Sequence, residues 1–179
     1  MRIIILGRGP SAEPLARLAE RAGYIVLWLS DGAAPSGKEA ADLCILAGSR
    51  ADVETLLVMV ALPTTRDTVV VDATIPIADD RARDETDAAH AGTDWIATKL
   101  PHAPIVRAFI SVPAEALARV LNGPPVEQSA RLAVPLAGDD RDAKRLQRHH
   151  LEFGGARRQG CLNYRQCHQA NIPLWRASL

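Results

Sequence analysis

The segment that most constrains this chain is its opening, Arg2-Ile3-Ile4-Ile5-Leu6-Gly7-Arg8-Gly9-Pro10-Ser11-Ala12. A near-continuous apolar run of this length reads as a strand buried on both faces, which is the signature of a parallel sheet covered by helices. The run drives straight into a glycine turn. Leu15, Leu18 and Ala19 then recur at helical spacing, and Gly23 closes the helix. The glycine spacing is Gly-x-Gly-x-x-Ala, the dinucleotide-binding fingerprint with Ala12 in its third slot.

Each position has a physical task. Gly7 permits the tight turn. Gly9 lets the backbone approach a pyrophosphate, and the helix N-terminus behind it offers free N–H groups and a positive dipole end. Ser11 adds a hydroxyl donor. Pro10 removes one amide from the cradle, and Glu13 brings a carboxylate close to the anion. Arg8 offers a cation for the phosphates or a plane for adenine. The alternative is a glycine-rich strand-to-helix turn with no ligand.

Strand and helix signals alternate along the rest of the chain. Strands are expected at Ile25 to Leu29, Leu43 to Ala47, Thr68 to Val71, Ile105 to Ala108 and Leu132 to Leu136. Helices are expected from Ser11 to Ala22, Asp52 to Val60, Pro113 to Leu121 and Asp139 to Leu151. This alternation predicts an α/β fold, a Rossmann-type doubly wound and mostly parallel sheet. Only about a dozen residues separate Asp31 from the strand at Leu43, barely a minimal crossover. The third strand and its helix, on the adenine side, are therefore expected to be missing. That leaves Ile25 to Leu29 as a sheet edge, and an edge is a pairing surface for a homodimer. Residues 1–153 read as one domain. Residues 154–179 read as a polar tail docked on it through Ile172-Pro173-Leu174-Trp175.

Composition narrows the function classes. The 179 residues carry 21 basic and 21 acidic side chains, so no net positive field is available for nucleic acid or an anionic membrane. No apolar run approaches the roughly 20 residues of a membrane span. The first residues read as a strand and not as a leader. Three cysteines, Cys44, Cys161 and Cys167, are too few for a disulfide framework and point to a reducing, cytoplasmic setting. Cys161, Cys167 and His168 with His149-His150 fit no zinc spacing, so no metal is expected. No nucleophile-elbow sequence appears.

Six segments, in this order, resemble the dinucleotide-binding oxidoreductases related to deazaflavin-dependent NADP oxidoreductase. They are Ile3 to Ala16, Ala41 to Ala47, Val69 to Pro76, Ile105 to Ser111, Ala137 to Lys144, and Pro173-Leu174-Trp175. The resemblance implies a Rossmann domain holding NADP(H). It also implies hydride exchange between the nicotinamide and a deazaflavin, flavin or other small acceptor. Such a reaction leans on the cofactors for its chemistry and on the protein for proximity and orientation. No catalytic residue is assigned.

The resemblance also locates departures. The family places a hydroxyl or amide residue, a serine and an arginine at the end of the second strand. Here these are Ser30, Asp31 and Gly32. An acidic residue favours the ribose hydroxyl of NAD, and a basic one favours the 2′-phosphate of NADP. NADP(H) is thus implied by resemblance, NAD(H) is implied by Asp31-Gly32, and Asp31 also reads as a plain turn residue. Gly48 and Ser49 follow the third strand in place of an apolar-Pro pair, and are candidates for the ribose and nicotinamide side. Thr74, in the loop Thr74-Ile75-Pro76, is a candidate for the nicotinamide or its acceptor, with Ile75 where the family has asparagine. Arg107 and Ile110 replace a lysine and an asparagine, and Phe109 reads as core. A second reading is a degenerate Rossmann module that binds cofactor weakly or not at all and acts as a regulatory or assembly protein.

Overall fold

The computed structural model describes residues 1–30, 41–60, 62, 64–75, 94–123, 134 and 136–138. The tail from 154 onward, the expected helix from Asp139 to Leu151, and Asp31 lie outside the described residues, as do the cysteines and histidines weighed for a metal.

Six strands form one sheet in the order β2-β1-β3-β4-β5-β6. They are β1 (Arg2–Leu6), β2 (Ile25–Leu29), β3 (Leu43–Ser49), β4 (Val69–Ile75), β5 (Ile105–Ala108) and β6 (Leu136–Ala137). The first five run parallel, and β6 returns antiparallel against β5. The helices are α1 (Ala12–Arg21), α2 (Arg50–Met59), α3 (Asp94–Lys99) and α4 (Ala114–Asn122). Among the described residues no helix is long and apolar enough to cross a membrane.

The strand period of two sorts the core onto the two faces. Ile3 and Ile5 join Leu15 and Leu18 of α1 and Leu117 of α4 on one face. Ile4 and Leu6 join Val53 and Leu56 of α2 and Trp95 and Ile96 of α3 on the other. This two-sided burial is why β1, β3 and β4 lack polar alternation. Phe109, which closes β5 at a φ of 64°, is buried in the α1 face as core.

The chain leaves β1 in one direction to make β2 and then returns to the far side of β1 to make β3. That reversal is the topological switch point of an open α/β sheet, where ligands of such folds bind. Among the described residues nothing pairs with β2 beyond β1; residues 31–40, which connect β2 to β3, lie outside them.

Three strands differ in extent from expectation. β3 runs on through Gly48 and Ser49, which pair with Thr74 and Ile75 of β4. β4 in turn runs through Asp72, Ala73 and Thr74 to Ile75, because the polar groups find partners inside the sheet. The last strand among the described residues is Leu136–Ala137, with Val134 bridging ahead of it, while 132, 133 and 135 of the expected strand lie outside them. Helix α3 has no forerunner in the sequence analysis. Six residues are too few to show a period, and Trp95 and Ile96 alone anchor it.

Candidate functional site

The glycine turn meets the end of β3 backbone to backbone. Gly7 has a φ of 141°, a region only glycine occupies freely. A Cβ there would stand 1.6 Å from the Ala47 carbonyl oxygen, and a Cβ on Gly9 would stand 2.4 Å from the Gly48 Cα. Gly48 itself has a φ of 141° and faces the Gly9 nitrogen. The three glycines therefore form one interlock across the switch point. Their first task is to let two chain segments touch.

Hydrogen bonds tie the turn to its neighbours. The Gly7 N–H donates to the Leu29 carbonyl at 3.1 Å, and the Trp28 indole N–H donates to the Gly7 carbonyl at 3.0 Å. The Arg8 Nε–H donates to the Ser30 carbonyl, clamping the turn to the end of β2. Arg8 and Ser30 thus stand together on the adenosine side of the fold. Ala12, fully buried, packs α1 onto the sheet, which is the duty of the fingerprint's third position.

The start of α1 fits an anion with a thinned donor set. Pro10 has no N–H. Neither has Pro14, which occupies the third position of the helix and escaped the sequence analysis. The Ala12 N–H is taken by the Gly9 carbonyl at 2.9 Å. The amides of Ser11 and Glu13 have no backbone acceptor among the described residues. The Ser11 side chain makes no capping bond. Two amides, one hydroxyl and the helix dipole therefore stand at the α1 N-terminus, the kind of place that favours an anion. The Glu13 carboxylate is drawn toward Arg17, at 3.9 Å.

The hydroxyls of Ser49 and Thr74 are engaged within the fold. Ser49 caps α2, accepting from the Asp52 N–H at 3.1 Å while its hydroxyl donates to Asp52 Oδ2 at 2.6 Å. Thr74 is buried, with its hydroxyl donating to Asp72 Oδ1 at 2.6 Å and its N–H donating to the same oxygen at 3.0 Å.

Sequence reasoning missed the charge under this end of the sheet. Asp72 of β4 is completely buried and pairs in register with Arg107 of β5. Arg107 Nε lies 3.4 Å from Asp72 Oδ2, close enough for an ion pair but not aligned as a hydrogen bond. Burial pushes the Asp72 carboxyl above its ordinary value. Arg107, the two Thr74 donors and Arg50 pull it partly back. Arg50 opens α2, sits 5.3 Å from the centre of the Trp95 ring, and approaches Glu54 at 3.3 Å. The available signal was an aspartate inside the apolar run VVVDATI with an arginine at the matching place in IVRA.

No protein-family model matches the chain, and no curated protein matches it. Solved structures do. A hypothetical protein from Sinorhizobium meliloti superposes with a TM-score of 0.66 at 20% identity, over 91% of this chain and 85% of that one. An Arthrobacter protein assigned as an F420-dependent NADP-reductase gives 0.62 at 15% identity, over 95% and 88%. An imine reductase from Myxococcus stipitatus, solved in complex with NAD+, gives 0.53 at 13% identity, over 90% of this chain and 54% of its own. The chain thus spans about half of that last enzyme. Strand order, switch point, glycine turn and structural likeness converge: this chain has a Rossmann-type α/β fold, the fold of the structures it resembles.

Proposed function

We propose that the chain binds a nicotinamide dinucleotide across the carboxyl ends of its strands and serves as an NAD(P)-dependent oxidoreductase. The observation that carries this reading is the α1 N-terminus. It stands at the switch point with the Ser11 and Glu13 amides and the Ser11 hydroxyl unspent among the described residues. The pyrophosphate lies over Gly9-Pro10-Ser11. Gly7 and Ala12 hold the turn and the helix at the spacing that permits this, and Arg8 neutralises phosphate charge beside Ser30.

The adenosine extends toward Ser30, and the nicotinamide toward Gly48, Ser49 and Thr74. In this arrangement Ser49 and Thr74 act as walls and positioning groups, since their hydroxyls already serve α2 and Asp72. When bound, the nicotinamide supplies hydride to, or accepts it from, a deazaflavin, flavin or other small acceptor. The chain contributes orientation and exclusion of water. The likeness to an F420-dependent NADP-reductase and to an NAD+-bound imine reductase supports a nicotinamide cofactor of either kind.

The test is thermal unfolding and nicotinamide fluorescence of the protein titrated with NADPH and, separately, NADH. A saturable rise in melting temperature with either is the expected result. No response to either at millimolar levels overturns the reading.

One observation favours a second reading. Pro10 and Pro14 remove two of the amides that a full cradle would offer. On that reading the chain is a regulatory or assembly module with little cofactor affinity. Turnover of any acceptor with a fixed reduced nicotinamide decides between the two.

A further inference from the structure

The outer edge of β2 is built to pair. Its five residues, Ile-Val-Leu-Trp-Leu, contain no charge, proline or glycine, the devices by which edges are usually blunted. Ile25 is 64% exposed, Trp28 40% and Leu27 36%, so apolar surface is open on both faces of one strand. The backbone direction is fixed by two bonds. The Ile25 N–H donates to the Met1 carbonyl, and the Leu29 carbonyl accepts from Gly7. Residues 25, 27 and 29 therefore turn their backbone groups inward to β1. Val26 and Trp28 turn theirs outward, and no acceptor or donor meets them among the described residues.

The geometry points to a second copy of this chain as the occupant, with the two β2 strands antiparallel about a two-fold axis through Leu27. The strand is self-complementary in that register. Val26 of one copy faces Trp28 of the other as a hydrogen-bonded pair, twice, so all four outward N–H and C=O groups of each strand's Val26 and Trp28 are satisfied. Leu27 meets Leu27 of the other copy at the axis as the non-hydrogen-bonded pair. Ile25 lies beside Leu29 of the other copy on the same face. On the opposite face the small Val26 stands against the large Trp28. No charge opposes a charge anywhere along the ladder.

The second copy thereby adds a strand outside β2, where none lies among the described residues, and the two sheets become one. Its Tyr24 comes alongside Ser30, which Arg8 clamps to the glycine turn. The partner therefore walls the adenosine side of the fold. A five-residue edge with three exposed side chains buries less than the roughly 1,200 Å² of a stable interface. The dimer accordingly dissociates on dilution through the micromolar range. None of this depends on cofactor binding.

The test uses the full chain. Sedimentation velocity from low micromolar to several hundred micromolar should show a reversible monomer–dimer equilibrium. Leu27→Lys sets two ammonium groups opposite each other at the axis and should abolish the dimer across that range, with far-UV circular dichroism unchanged. Leu27→Cys provides the second arm and does not rely on the lysine variant folding. The Cα atoms of a non-hydrogen-bonded antiparallel pair are about 4.5 Å apart, within disulfide reach. Mild oxidation should therefore link Leu27→Cys copies well above the wild-type background. Ile25→Cys is more exposed but faces Leu29 of the partner, and should not link to itself. A monomer at every concentration, a dimer that Leu27→Lys leaves intact, or cross-linking of Ile25→Cys equal to that of Leu27→Cys overturns the proposal.

Discussion

Gly9→Ala separates two explanations of the glycine turn. If Gly9 serves only a ligand's approach, alanine there weakens cofactor binding and leaves the free protein untouched. The structure says otherwise. The added Cβ would stand 2.4 Å from the Gly48 Cα, where ordinary contact begins at 3.4 Å. The turn and the end of β3 must part by about 1 Å, and both sides of the contact are backbone. Neither segment gives way freely. Gly7 is pinned by Leu29 and Trp28, and Gly48 lies in register with Thr74 of β4. Forced separation of well-packed elements costs about 1–3 kcal/mol, and more where no rotamer can absorb it. We expect about 3 kcal/mol, a fall in melting temperature of roughly 6–12 °C for a chain of this size. Differential scanning fluorimetry without any cofactor measures it directly. A Gly9→Ala protein that melts with the wild type and loses only its response to NADPH refutes the interlock.

Asp72→Asn should cost about 3 kcal/mol in urea unfolding, because it removes the buried carboxylate paired with the largely buried Arg107. Leucine at both Asp72 and Arg107 should recover most of that loss. Burial also raises the Asp72 carboxyl from 3.8, so just above that pH the folded state keeps a proton the unfolded chain has released. The resulting contribution to stability is full below 3.8 and declines as pH rises through the raised value, a slope that Asp72→Asn should flatten. The Cys44 thiol is fully enclosed and pushed up to about 12. Peptide mapping after alkylation at pH 8 should find it unmodified in the folded protein and modified once the chain is unfolded. Ser11→Ala should lower nicotinamide dinucleotide affinity by roughly tenfold, about 1.4 kcal/mol, on removing a hydrogen bond to a phosphate. Calorimetric titration reads that loss, and the melting temperature of the free protein should not change, since the hydroxyl makes no capping bond.

The fold was legible where burial dictates sequence. β1, β2 and β5 are short runs dominated by apolar and β-branched residues, and their expected bounds coincide with the observed ones. The shortness of the β2–β3 connection was legible from loop length alone, because a parallel crossover has a minimum span; among the described residues no strand joins β2 on its outer side. Polar residues inside strands were not legible. Asp72 and Thr74 resemble a turn in sequence, and they became strand because each satisfies the other and Arg107 lies one strand away. The same holds at Gly48 and Ser49. There, glycine and serine signalled a loop but serve a backbone contact and a helix cap. Of the candidate site, the turn from Gly7 to Ala12 was legible in position. Its division of labour was not, because the contact partner of Gly9 lies 39 residues further on, at Gly48. Pro14 was readable and overlooked, since its effect depends on where α1 begins.

The placement of the pyrophosphate is tested most directly by ¹⁵N–¹H correlation spectra of the labelled chain titrated with NADPH and with NADH. We expect saturable shifts concentrated in the amides of Arg8, Gly9, Ser11, Glu13 and Ser30. Unchanged amides at these positions with millimolar dinucleotide, or shifts confined to residues elsewhere, contradict a pyrophosphate seated on the glycine turn.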